Sequence, residues 1–327
     1  MYSTLKQYAL ELLPPFLARL IAQFFAKLRA QRLITNAPTM ISTSDELDAW
    51  IARADAASQQ SDDALRNVLA SFQYQIATEL PADPFSPAYA DGQWRLYRQI
   101  SGRSEYITEQ NEQSVIDVEA LTHRPFPYST LSCQTVGDQL IMQGLVIKHL
   151  GLRPYSEVLE FGPGCGDLTL HLAMLGHHVT AVDISPHFIE LIRRRAQLQG
   201  LTVRLVCDSM LAFQTDKTYD AVVFYESFHH CAEHLEMLKR LHQFVKDDGV
   251  VVFGFEPIAP TGEFWGNRPW GLRLDGMSVW SIRKFGWLEL GFTDQYFLEA
   301  LKRTGWRGVL SRFSMLGLGT IVVAHKH

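Results

Sequence analysis

From Ser156 onward the chain alternates short apolar runs with helical stretches, and that alternation leaves few folds open. Glu157-Val158-Leu159-Glu160-Phe161, His178 to Asp183, Val203 to Asp208, Ala221 to Tyr225 and Gly249 to Phe255 read as five successive strands. Leu168 to Leu175 and His187 to Gln199 read as the first two intervening helices. Strands alternating with helices build a parallel sheet with helices on both faces, so the expected class is α/β. After a loop-rich stretch from Glu256 to Gly286, a helix near Asp294 to Thr304 precedes two final strands, about 308–313 and 319–324.

The chain before this series reads as a mainly helical extension. Leu5, Leu12, Leu13, Phe16, Leu17, Leu20, Ile21, Phe24, Phe25 and Leu28 form an apolar face among basic residues, broken by Pro14-Pro15. Such a helix packs on its own domain or on a second copy of the chain, as in a homodimer. The alternative for residues 1–34 is peripheral contact with a membrane interface. Residues 43–80 read as helical, with Thr43, Ser44 or Asp45 as a cap and a polar break near Ser58 to Asp63. Pro81, Pro84 and Pro87 mark an irregular segment, and Ser132 to Leu150 a helix leading into the sheet. The expected division is therefore an extension over 1–130 and a sheet domain over 131–327, with an insertion at about 257–290.

Composition narrows the partners. The 327 residues carry a formal net charge of -5, without a basic run, which disfavours nucleic acid. The scattered cysteines Cys133, Cys165, Cys207 and Cys231 suit free thiols in a reducing cytoplasm. No secretory signal and no apolar run of about 18 residues is read, so the expected location is cytoplasmic, with membrane contact only at the periphery.

The first strand ends in Glu160-Phe161-Gly162-Pro163-Gly164-Cys165-Gly166, at the edge where open α/β sheets bind ligands. Glycines let the backbone turn tightly and approach a ligand closely. A dinucleotide loop would want glycine at position 167, which is Asp167. Glu160 and Asp167 would repel a pyrophosphate and suit a ligand carrying positive charge. Asp183 ends the second strand, where an acid can accept from ribose hydroxyls, and Asp208 ends the third, where it can accept from an adenine amino group. Ser185 could instead cap the second helix, leaving Asp183 a turn residue.

This series of strand-end motifs resembles the class I S-adenosylmethionine-dependent methyltransferases, from about Leu145 to the C-terminus. The resemblance implies a Rossmann-like, seven-stranded sheet whose last strand runs antiparallel, and S-adenosyl-L-methionine as cofactor. It implies that Gly162, Gly164 and Gly166 line the methionine and ribose part of the cofactor, with Glu160 at the amino acid end. Asp183 and Ile184 would meet the ribose, Asp208, Ser209 and Met210 the adenine, and Tyr225 the reactive end.

Tyr225-Glu226-Ser227-Phe228-His229-His230-Cys231 follows the fourth strand and is similar to the paired-histidine segment of many small-molecule methyltransferases. A hydroxyl acceptor needs a base, for which His229 or His230 is the candidate, with Glu226 orienting it and Glu256 as a second carboxylate. The pair could equally shape the loop. His230, Cys231 and His234 have partial metal spacing, but no metal is expected. Trp265, Arg268, Trp270 and Arg273 are expected to bind the acceptor, since tryptophan stacks on sugars and arginine grips anions in forked geometry. Trp280, Trp287, Trp94, Tyr97 and Arg98 would add to a lidded pocket. By analogy of architecture with bacterial enzymes of surface-polysaccharide assembly, the leading expectation is O-methylation of a sugar or glycan-linked acceptor. The alternatives are O-, N- or C-methylation of a natural product or other small metabolite, or a degenerate scaffold subunit without activity.

Overall fold

The structure is a computed structural model that describes residues 37–75, 79–127, 133–262, 268–313 and 319–327. The expectations for residues 1–34 and for Trp265 lie outside the described residues. The chain divides into two compact units, Met1–Gln75 and Ile76–His327. That boundary lies before the expected division at residue 130, and the hydrogen bonding of residues 84–112 is described below.

In the first unit, helix α1 (Ser44–Ser58) starts at Thr43. Thr43 Oγ1 accepts from the Glu46 N–H at 3.3 Å, and Glu46 Oε2 accepts from the Thr43 N–H at 3.1 Å, satisfying donors that a helix start leaves unpaired. Ser61 caps α2 (Asp62–Ala70). Strands β1 (Thr39–Ile41) and β2 (Phe72–Tyr74) pair in parallel, and Trp50 stacks on Phe72 at 5.0 Å. Residues 43–80 are thus not helical throughout: Phe72 and Tyr74 point inward from a strand of three residues.

The second unit holds a seven-stranded sheet. Its strands are β3 (Glu157–Phe161), β4 (His178–Asp183), β5 (Arg204–Cys207), β6 (Tyr219–Tyr225), β7 (Val245–Gly254), β11 (Trp306–Arg312) and β12 (Thr320–Lys326), in the order β11-β12-β7-β6-β3-β4-β5. β12 lies antiparallel between β7 and β11, and the pairings from β7 to β5 are all parallel. The two faces carry different side chains because strand residues alternate. Val158, Ala221, Val223 and Val252 join Val146 and Leu150 of α6 (Cys133–Leu150) in an aliphatic layer. Phe161, Phe224 and Phe253 stack across three neighbouring strands on the other face, with Phe224 5.3 Å from each of the other two rings. Helices α7 (Asp167–Met174) and α8 (Pro186–Leu198) follow β3 and β4, and α9 (His234–Phe244) precedes β7.

The stretch expected to be loop-rich contains a second sheet. β8 (Ile258–Ala259), β9 (Trp270–Leu272) and β10 (Leu290–Thr293) pair in the order β8-β10-β9, with α10 (Gly276–Lys284) between β9 and β10 and α11 (Asp294–Arg303) after β10. Helix α3 (Pro87–Ser101) is bonded to this insertion. Tyr89 Oη donates to the Trp270 carbonyl at 2.7 Å, Tyr97 Oη to the Gly286 carbonyl at 2.6 Å, and Gln93 Oε1 accepts from the Leu272 N–H at 3.1 Å. Residues 84–112 therefore belong with the sheet domain. Two short helices, α4 (Thr108–Asn111) and α5 (Val118–Thr122), continue this segment.

Candidate active site

The carboxyl ends of β3, β4 and β6 open on a cavity of about 500 Å³, within the range of small-molecule sites. Its floor is the glycine turn after β3. Gly162 sits at φ 64° and donates its N–H to the Val182 carbonyl at 2.9 Å. A Cβ there would lie 2.6 Å from the Ser227 Cβ, so only glycine lets the two loops meet. Gly164 also lines the cavity and donates to Asp183 Oδ2 at 3.2 Å. Gly166 does not line it. It caps α7 at φ 79°, against Ile192, and its role is packing of the turn.

Asp183 serves both readings given to it. Oδ1 accepts from the Ser185 N–H at 2.8 Å and Oδ2 from Gly164, while Ser185 Oγ caps α8. Each carboxylate oxygen keeps a further lone pair for a ligand. Burial pushes Asp183 up to about 6, against the two N–H donors. Ile184, Asp208, Ser209 and Met210 line the same end of the cavity.

Two acids expected to colour the loop are placed otherwise. Asp167 is neutralised by Arg195, 2.7 Å away and buried. Glu160 is fully buried off the cavity, accepts from Thr169 Oγ1 at 2.5 Å, and is pushed by burial up to about 8. The cavity's negative character comes instead from Asp183, Asp208, Glu226, Glu109 and Glu233. No Lys or Arg lines it among the described residues.

Beyond β6 the backbone turns sharply. Glu226 has φ 51°, a left-handed conformation that side chains rarely adopt, and its N–H donates to the Gly254 carbonyl at 3.0 Å. Phe255, at φ 59°, is its counterpart after β7. Glu256 then gathers the whole loop. Oε1 accepts from the N–H groups of Ser227 and Phe228 at 2.9 and 2.8 Å, and Oε2 from the His229 N–H at 3.1 Å. Oε2 also lies 2.8 Å from His229 Nδ1, which must carry the hydrogen because a carboxylate only accepts. Burial opposes the charge on Glu256, but the His229 ring and these donors hold it below the usual carboxylate range.

The expected acceptor-side residues thus separate. His229 is buried and does not line the cavity; burial and the neighbouring His230 charge lower its pKa. Glu256 organises the loop from beneath it. His230 does line the cavity, with Nδ1 3.1 Å from Glu112 Oε2. Burial works against its proton, but the Glu112 charge outweighs that and raises it to about 9, so the ring is a cation at neutral pH and no base. Glu226 faces the cavity and stays exposed to its water; the surrounding protein and then the Glu256 charge raise it, to about 7. Tyr225 packs against Phe255, off the cavity.

None of the acceptor residues described from 268–273 reaches this cavity. Trp270 is core: Nε1 donates to the Pro84 carbonyl at 2.8 Å and the ring packs on Tyr89 and Tyr296. Arg273 pairs with Asp275 and Glu289, and Arg268 lies half-buried away from the cavity. Trp287 is the tryptophan of that stretch that lines it. Sequence reading missed Thr108, Glu109, Glu112 and Ser114, which wall the cavity from α4 and the turn after it. Their one signal is an unbroken polar run, Thr108 to Ser114, between apolar segments. Among the described residues no group of three or more His, Cys, Asp or Glu could hold a metal, and no helix is long and apolar enough to cross a membrane. His234 is bonded to Tyr296 Oη at 2.7 Å instead.

Comparison with known proteins finds matches over the same segment. Residues 158–249 match the methyltransferase-domain family. A demethylmenaquinone methyltransferase of Thermus thermophilus is 32% identical over 112 residues, 33% of this chain and 51% of that one. A ubiquinone biosynthesis O-methyltransferase of Rickettsia prowazekii is 29% identical over 96 residues, 29% of this chain and 38% of that one. The chain spans about half or less of the length of these curated relatives. Among solved structures, 1,6-didemethyltoxoflavin-N1-methyltransferase of Burkholderia thailandensis aligns at 26% identity and TM-score 0.43, over 57% of this chain and 76% of that one. The matched segment runs from β3 to the start of β7 and so contains the glycine turn, Asp183, Asp208 and the loop after β6. The match over residues 158–249, taken with the order of the seven strands, supports a class I S-adenosylmethionine-dependent methyltransferase domain in this chain.

Proposed function

We propose that the protein is an S-adenosylmethionine-dependent methyltransferase that acts on a small-molecule acceptor, with Glu226 as the base. When bound, the cofactor supplies an electrophilic methyl group on a sulfonium. The donor set fits it: Asp183 and Asp208 offer acceptors for hydroxyl and amino groups, Met210 and Phe188 offer apolar surface, and the wall carries no Lys or Arg among the described residues. Gly162 leaves a cradle that a side chain would fill.

The observation that carries the base assignment is Glu226, a non-glycine residue in left-handed conformation on the cavity wall, whose carboxyl has no hydrogen-bond or ion-pair partner among the described residues. A base is most useful with its pKa near the working pH. Glu226 is exposed to the open cavity, and desolvation by the surrounding protein, complete only once a ligand displaces that water, brings it to about 7. His230 then acts as a hydrogen-bond donor instead of the base.

For the acceptor, the acidic wall favours a neutral polyhydroxyl group, such as a sugar at a glycan end, over an anionic nucleotide-linked sugar. Cysteines outside any disulfide among the described residues, Cys133, Cys165, Cys207 and Cys231, fit a cytoplasmic setting. The test is transfer of a labelled methyl group by the purified protein to neutral glycans, nucleotide sugars and aromatic metabolites. Labelled glycan hydroxyls are expected. Label confined to nucleotide sugars would overturn the charge argument, and failure to bind S-adenosylmethionine by calorimetry would overturn the enzyme.

A further inference from the structure

Glu112 follows α4, far in sequence from the glycine turn, and nothing in the methyltransferase motifs points to it. Its side chain is only 8% exposed and all of its bonds go to different segments. Oε1 accepts from Tyr106 Oη at 2.8 Å and from the Leu288 N–H at 2.6 Å, while Oε2 lies 3.1 Å from His230 Nδ1 as an ion pair without the alignment of a hydrogen bond. A buried carboxylate needs such donors to remain charged. Here the two donors come from the segment preceding α4 and from the insertion just before β10, and the ion pair from the loop after β6.

We propose that Glu112 is the positioning residue of this site, clamping these three segments together and fixing His230 in one ring orientation, with Nδ1 engaged and Nε2–H left as donor to a ligand. The assignment rests on reading the cavity as a methyl-transfer site. Other charged groups face His230 from the surrounding elements. Glu289 precedes β10, Glu256 follows β7, Asp183 ends β4, and the His229 ring lies 4.2 Å away. Trp287 presents its ring edge-on at 6.3 Å, and Glu226 and Glu233 line the same cavity. Of the carboxylates, Glu112 is the one in contact with the ring, and burial alone would strip the proton. Acting through His230, Glu112 keeps a donor in place beside the base Glu226 without itself contacting the reacting atoms.

The test reads the ring directly. In long-range 1H–15N spectra of the full chain, with the His230 signals assigned by their loss in His230→Gln, both ring nitrogens should stay protonated to about pH 8. In Glu112→Gln the same ring should be neutral by about pH 7. A wild-type His230 that titrates below pH 7, or a titration unmoved by Glu112→Gln, would overturn the proposal. In turnover, Glu112→Gln should lower kcat by about 10- to 100-fold, with the KM for S-adenosylmethionine unchanged. Because Glu112 acts through His230, the double variant Glu112→Gln/His230→Gln should be no slower than His230→Gln alone. Fully additive losses count against it. Should Glu112→Gln not fold, the wild-type titration still decides. A wild type that holds His230 protonated yet methylates nothing would remove the methyltransferase reading and leave the clamp standing.

Discussion

Glu160, Asp183 and Glu226 stand at or just past the carboxyl ends of β3, β4 and β6, yet their surroundings set them to different charges and tasks. Glu160 is raised to about 8, so it keeps its proton at neutral pH. Its folded-state pKa lies above the unfolded value of about 4.5, so the folded chain binds the extra proton and this group lowers stability as pH rises through that interval. Glu160→Gln should then cost less than about 1 kcal/mol at pH 6, because an amide oxygen still accepts from Thr169, and should flatten the loss of stability toward pH 9. Denaturant unfolding at the two pH values checks it; a large loss at pH 6 would mean that the carboxylate itself is needed. Asp183 is raised only to about 6 and accepts better when ionised. Affinity for S-adenosylmethionine should fall as pH drops through about 6, and a calorimetric profile flat from pH 8 to pH 5 would deny Asp183 a ligand role. Glu226→Gln should lower turnover about 10²-fold or more while leaving cofactor affinity intact. The wild-type rate should rise with pH through about 7, since the base acts only when deprotonated. A variant as fast as wild type would return the search for a base to other groups.

At the scale of elements, the loop after β6 owes its shape to the end of β7. Glu256 is buried and closes four hydrogen bonds that the turn Ser227 to His229 could not otherwise make. Glu256→Ala leaves three buried N–H groups and the His229 Nδ1 without partners, and should cost about 3 to 5 kcal/mol as well as activity. Equal losses of folding and turnover, with no change in the pH at which the residual activity rises, would mark it as structural. A shifted pH profile without loss of stability would instead return it to the chemistry. The sheet was legible because its strands are long apolar runs ended by Asp183, Asp208 and glycine, a pattern local in sequence. The three-stranded insertion was not, since Ile258-Ala259 and Trp270-Gly271-Leu272 are too short to show a period. Trp270 and Arg273 looked like ligand contacts because residue type does not tell which way a side chain faces, and here Pro84 and Glu289 claim them. The histidines fared similarly. Their place after β6 was readable, but the carboxylates that set their charge, Glu112 and Glu289, arrive from elements 118 residues before and 59 residues after His230.

For the whole molecule, the boundary at Gln75 has a consequence that separates it from one at residue 130. Residues 84–112 supply the Pro84 carbonyl to Trp270, Tyr89 and Gln93 to β9, Tyr97 to Gly286, and Glu112 to Leu288 and His230. Tyr89, Leu96, Tyr97 and Ile100 are also buried, each contributing on the order of 2 kcal/mol of apolar burial. A chain that starts at Cys133 would expose that surface and leave backbone donors and acceptors of the insertion unpaired, a loss that exceeds the usual margin of domain stability. A chain of residues 76–327 keeps every one of these contacts, together with Asp183, Asp208 and Glu226. The longer fragment should therefore unfold cooperatively and bind S-adenosylmethionine with affinity close to that of the full chain. The shorter one should be insoluble, or show loosened packing and no calorimetric heat with the cofactor. Retained binding in residues 133–327 would mean that the sheet and glycine turn suffice for the methyl donor, and would restrict α3, α4 and Glu112 to the acceptor side of the cavity.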